Sequence, residues 1–185
     1  MKNIFTKTAV ILAAVFFIAI SAQITIEVPL NAAQIPISGQ SFAVLLVAGV
    51  LGLEMGVLAV ALYVILGVLG LPIFADGESG LDVIMGGSGG FLLGFIAAAF
   101  GVGHRLSKLS FRPISFLKSL YLMTFGTAII LFFGIGRLTT LYGFEKALEY
   151  GFYPFWQGAI IKIILGAVVL YLLKKAKIME RQPTN

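Results

Sequence analysis

The chain reads as an all-α integral membrane protein, a single domain over residues 1–185 with six transmembrane helices. Three observations predict this. Hydrophobic residues make up 59% of the 185 and charged residues 11%, whereas a soluble domain carries about 25% charged residues. The mean hydropathy is +1.05. The apolar residues gather into runs approaching the roughly 20 residues a membrane helix needs, and the basic residues cluster beside alternate runs. With no cysteine there is no disulfide framework, thiolate metal site or cysteine nucleophile. The net charge of +5 belongs to these clusters and marks topology rather than a nucleic-acid face.

The first span is expected over 5–25. Lys2 and Lys7 precede AVILAAVFFIAISA, which has the form of a signal peptide down to its Ala19-Ile20-Ser21 end. Because further spans follow, it is expected to be retained as a helix. Ala9 and Ala13 form an A-x-x-x-A step that lets another helix approach closely. That helix belongs either to this bundle or to a partner.

Ile26 to Gln40 (IEVPLNAAQIPISGQ) reads as an outer loop that returns toward the membrane. The second span, 39–53, is short, so part of that loop is expected at membrane depth, where irregular backbone persists only beside an enclosed cavity. Glu54 marks a very short turn before the third span, 55–71.

Leu71 to Phe95 is too long for a simple connection. It carries Gly77, Gly80, Gly86, Gly87, Gly89 and Gly90 with the acids Asp76, Glu78 and Asp82. Its apolar residues argue against disorder, and ordered loops of this length are usually functional. A lid over a site is expected, leading into the fourth span, 88–104, where Gly90 and Gly94 make a packing G-x-x-x-G step.

His104 to Lys118 holds Arg105, Lys108, Arg112 and Lys118, and its single histidine reads as interfacial. The fifth span is placed at 114–138. The EKALEY segment after it reads as an interfacial helix, bordered by Tyr142, Tyr150 and Tyr153. The sixth span, 154–174, starts at Pro154, preordered for a first helical turn. Ten of the 13 basic residues then fall on the side of the N-terminus, leaving Arg137, Lys146 and Lys162 on the other half. Both termini are expected in the cytoplasm.

Lys162 is the informative charge. It lies inside the last apolar run, where a central lysine costs on the order of 2.5 to 3.5 kcal/mol to insert. An intramembrane ionisable residue is by default a functional-site hypothesis, with a ligand carboxylate as its natural partner and Glu145 or Glu149 as alternatives; the other reading is that Lys162 snorkels its stem to the outer interface. Gln40, Ser79 and Ser88 would supply neutral hydrogen-bonding groups, and Phe74, Phe91 and Trp156 flat apolar walls. Such a mixture suits a small-molecule pocket. Neither H-E-x-x-H nor G-x-S-x-G nor a P-loop occurs. No catalytic residue, metal or cofactor is expected, and uphill transport would draw on a gradient or another subunit.

The run PISGQSFAVLLVAGVLGLEMGVLAVALYVILGVLGLPIFADGESGLDVIMGGSGGFLLGF, with YPFWQGAIIKIILGAVVL near the end, resembles the BioY family. These are the biotin-binding S components of energy-coupling factor (ECF) vitamin transporters. The resemblance implies an S-component-like bundle with extracellular capping loops, located in the cell membrane. It implies biotin or a related carboxylated vitamin as ligand, and an ECF transmembrane subunit with ABC ATPase subunits as partners. Ala9 and Ala13 match the small-residue motif by which S components dock on the transmembrane subunit.

The last helix of the family typically starts like P-F-x-P-G-D-x-x-K. Here Gln157 replaces the second Pro, Ala159 stands at the Asp, and Lys162 remains. Alanine has no side-chain acceptor for the N–H groups of a ureido ring, which keeps a carboxylated vitamin such as lipoate as an alternative ligand. A self-sufficient secondary transporter is a further alternative; it would be expected to show inverted repeats.

Overall fold

The computed structural model of the chain describes residues 2–26, 37–108 and 114–179. Pro29, Asn31 and Pro36 of the segment expected as an outer loop, Arg112 of the basic loop and Arg181 of the tail lie outside them. Seven α-helices appear among the described residues: α1 (Lys2–Ala22), α2 (Gln40–Val68), α3 (Leu81–Met85), α4 (Gly89–Ser107), α5 (Phe116–Tyr142), α6 (Phe144–Gly151) and α7 (Trp156–Met179). Five of them, α1, α2, α4, α5 and α7, are long and apolar enough to cross a membrane. The all-helical expectation meets one exception. Strands β1 (Thr25–Ile26) and β2 (Ile37–Ser38) pair antiparallel.

The segments expected as separate spans at 39–53 and 55–71 form the single element α2. Its hydrogen-bonded ladder is interrupted only at Gly52, which takes φ 79 and ψ −165. There the chain doubles back. Gln40 Nε2 lies 2.6 Å from Tyr63 Oη, although 23 residues of straight helix would separate them by roughly 35 Å. A Cβ on Gly56 would sit 3.0 Å from Ala48 Cα, so small residues let the two arms touch. The tip is held by its neighbours. Lys174 Nζ on α7 donates to Val50 O at 3.3 Å, and Gly103 on α4 leaves room for the backbone of Leu53.

The arms of α2 pack mainly on α4, and α4 packs on α5. Gly90 and Gly94 serve this contact, since a Cβ at either would meet α5 backbone at 2.5 to 3.1 Å. On α5, Gly126 faces Leu45 and Val102, and Gly134 receives the ring of Phe91. The core runs through these helices, with Ala59, Val60, Ala98, Leu122 and Leu170 fully enclosed. Outward faces carry large apolar side chains such as Leu58, Leu117 and Phe132, as the hydrocarbon of a bilayer requires.

Element ends differ from the sequence expectation where caps decide them. Ser115 accepts from Lys118 N and starts α5, and Pro154 lies in the turns before α7 rather than in its first turn. The EKALEY segment lies within α6, which buries Ala147 and Gly151 against α5.

Candidate functional site

Between the lid, the start of α2, and helices α4, α5 and α7 lies a cavity with about 700 Å³ of space between its walls, mouth included. Lys162 reaches it from the second turn of α7. Its Nζ donates to Ser38 O at 2.6 Å and to Ser41 Oγ at 3.4 Å. Those acceptors, rather than Glu145 or Glu149, compensate the charge. Both glutamates are exposed on α6.

Gln40, 8% exposed, forms the floor with every polar atom committed. Ser38 Oγ donates to its Oε1 at 3.0 Å, and its Nε2 donates to Tyr63 Oη. Tyr63 Oη then donates to Ile73 O at 2.9 Å, so one chain of hydrogen bonds runs from β2 to the lid. Full burial of such a chain is tolerable because each group is paired.

The lid begins after α2. Phe74 is fully buried and fills the space that Gly67 leaves, where a Cβ would fall 2.3 Å from the ring. Its ring meets Tyr63 edge-on, centroids 5.7 Å apart. The residues after α1 tie this segment down: Gln23 Nε2 donates to Phe74 O at 3.0 Å, and Thr25 Oγ1 of β1 donates to Asp76 Oδ1 at 2.6 Å. Asp76 has φ 57, a left-handed conformation that Asp tolerates better than most residues. Farther along, Arg137 of α5 donates to the carbonyls of Met85 and Gly86 and caps α3.

Five of the six residues expected at the site, Lys162, Gln40, Phe74, Ser88 and Phe91, line this cavity. Ser79 does not; its neighbour Glu78 takes the place in the wall. Trp156 is likewise displaced. It is 44% exposed, and Phe155 supplies the flat wall by stacking on Phe91 at 5.6 Å. Ala159 lines the wall one turn before Lys162, while Gln157 is exposed. Burial, and then repulsion from Asp76, holds the Glu78 carboxyl above its usual range. Ala9 and Ala13 are exposed on α1 and take no part in the cavity.

Tyr63, Ser38, Thr127 and Phe155 were not anticipated in this role. Tyr63 had a signal: within the run Met55 to Leu71 it has the only side chain able to form a conventional hydrogen bond. Among the described residues no group of three His, Asp or Glu side chains could hold a metal ion.

The model of the BioY family matches residues 1–178. The chain belongs to the BioY family. It is 38% identical over 154 residues to the biotin transporter BioY of Thermotoga maritima, covering 83% of this chain and 88% of that protein. With the biotin transporter BioY of Rhizobium etli it shares 33% identity over 144 residues, 73% of this chain and 75% of that one. In fold it is similar to the crystal structure of the S component for biotin from an ECF-type ABC transporter. The TM-score is 0.79 at 23% identity, over 94% of this chain and 93% of that one. This BioY member is therefore a multi-pass membrane transport protein and not an enzyme.

Proposed function

We propose that the chain is the substrate-binding S component of an ECF-type ABC transporter, taking up biotin with energy from a partner ATPase module. The observation that carries this reading is the lysine. Among the described residues Lys162 is the one cation in a mostly apolar cavity, held by a backbone carbonyl and a hydroxyl that a ligand carboxylate can replace or join. The family relationship supports biotin as the ligand, and the likeness to the S component of an ECF-type ABC transporter supports a transmembrane subunit with ABC ATPases as partners.

The reading includes six membrane passes with both termini cytoplasmic. The reversal at Gly52 supports six, because it makes α2 two passes. The basic residues at Lys2, Lys7, Arg105, Lys108, Lys174 and Lys175 support the orientation. The cavity then opens outward beneath the lid, and the exposed Ala9 and Ala13 of α1 form the docking face for the transmembrane subunit.

Lipoate is the second reading, favoured by Ala159, whose methyl group in the wall accepts no hydrogen bond. Isothermal titration of the purified protein with biotin and with lipoate tests both. Biotin is expected to bind more tightly, and Lys162→Ala to weaken binding by about 100-fold or more, the scale of a desolvated charge pair. Binding of neither acid, or unchanged affinity in the variant, would sink the assignment.

A further inference from the structure

The polar groups of the cavity are unequally available. Gln40 is spent on Ser38 and Tyr63, and Ser41 Oγ already accepts from Lys162. Ser88 and Thr127 offer neutral hydroxyls. The remaining group is the Glu78 carboxylate, the sole acid in the lining among the described residues. It forms no ion pair with Lys162, although both face the same space, and no hydrogen bond to it is made among the described residues. An ionised carboxylate is an acceptor only, so it repels an acidic ligand unless the ligand brings donors to it.

We propose that Glu78 sets ligand choice and orientation, its carboxylate accepting the N–H donors of a cyclic urea head group while Lys162 holds the acidic tail. The inference rests on the vitamin-binding reading above and deepens it. The two charges come from different walls, Glu78 from the lid and Lys162 from α7. Repulsion by Glu78 turns the tail toward Lys162, and the donors of the head then meet the lid. Ala159 leaves no acceptor on the α7 wall, so the selecting group is carried by the lid instead. A disulfide-ring acid such as lipoate has no donor on its head. It would leave the carboxylate covered and unpaired, a cost that works as discrimination.

The test is titration calorimetry on the full-length protein in detergent, with biotin and lipoate against wild type, Glu78→Ala and Glu78→Ala/Ala159→Asp. Glu78→Ala is expected to weaken biotin by about tenfold or more, as for loss of a hydrogen bond to a charged group. Lipoate should bind no more weakly than before, and Ala159→Asp should restore part of the biotin affinity from the opposite wall. Biotin affinity within about twofold of wild type in Glu78→Ala, or loss of both acids by the same factor, overturns the inference while leaving biotin as the ligand. A wild-type protein that binds no biotin overturns the vitamin reading and this one with it.

Discussion

Gln40 and Tyr63, 23 residues apart in one helical element, are joined by a 2.6 Å hydrogen bond, and the same phenol donates onward to Ile73 O at 2.9 Å. One hydroxyl thus links the floor of the cavity to the first residues of the lid. Tyr63→Phe keeps the ring against Phe74 but strips the partner from the Gln40 amide and from the Ile73 carbonyl. Leaving buried groups unpaired costs roughly 1 to 3 kcal/mol. A lower thermal midpoint in detergent and faster biotin release are expected; an unchanged midpoint would show that the network carries no stability.

The reversal of α2 depends on one glycine. Gly52 at φ 79, ψ −165 occupies a region essentially closed to other residues, yet a Cβ there would meet nothing within 4 Å. Gly52→Ala therefore isolates backbone strain, expected at about 1 to 3 kcal/mol. Gly136 on α5 provides the contrast. It too has open space around a Cβ but sits in regular helix, so Gly136→Ala should be neutral or stabilising by roughly 0.5 to 1 kcal/mol. Equal thermal midpoints for the two variants would contradict this account of the turn.

What was legible in the sequence follows from how sharply a residue departs from its surroundings. Lys162 stands out as a charge in an apolar run, and Gln40 as an amide at the start of one. The lid was legible because a glycine-rich, acidic segment with Phe74 inside it has no reason to join two membrane helices. Adjacent residues were harder to separate. Ser79 and Glu78, or Trp156 and Phe155, differ by one position, and one step along a helix turns a side chain by about 100°. Near a helix start or in an irregular loop, composition does not say which of two neighbours faces inward. A break is expected at Glu54, whereas the interruption of α2 falls at Gly52, whose positive φ is a property of the backbone. The ties from Gln23, Thr25 and Arg137 to the lid were not legible, because each joins residues about 50 positions apart.

Glu78 predicts a pH dependence. Burial first, and the nearby Asp76 second, raise its carboxyl above the usual range. The folded protein therefore keeps this proton to higher pH than the unfolded chain does. The linked stability is fully present below the unfolded carboxyl value and is lost as pH rises through the raised folded value. Since the Glu78 carboxyl is only partly desolvated at the cavity wall and remains open to solvent, the loss should be small. Thermal midpoints of wild type should fall relative to Glu78→Gln across that window, and parallel pH profiles would refute the assignment.

Arg137 anchors the second half of the lid. Its guanidinium donates to the carbonyls of Met85 and Gly86, the end of a helix of only five residues. So short a helix does not persist without outside support, and its last carbonyls are unpaired by the geometry of helix ends. The stem of Arg137 packs tightly against α4, where a Cβ on Gly90 would fall 2.4 Å from Arg137 Cβ. Arg137→Met keeps that packing and removes only the donors. A hydrogen bond from a charged group contributes about 1.5 to 3 kcal/mol, so biotin dissociation should accelerate by roughly tenfold or more. Arg137→Lys, which retains the charge without the planar fork, should fall between the two. Limited proteolysis of the ligand-free protein gives an independent readout, with cleavage between Leu81 and Gly87 expected to appear in Arg137→Met. If dissociation and cleavage both match wild type, α3 is held in place by its packing on α4 and not by this arginine.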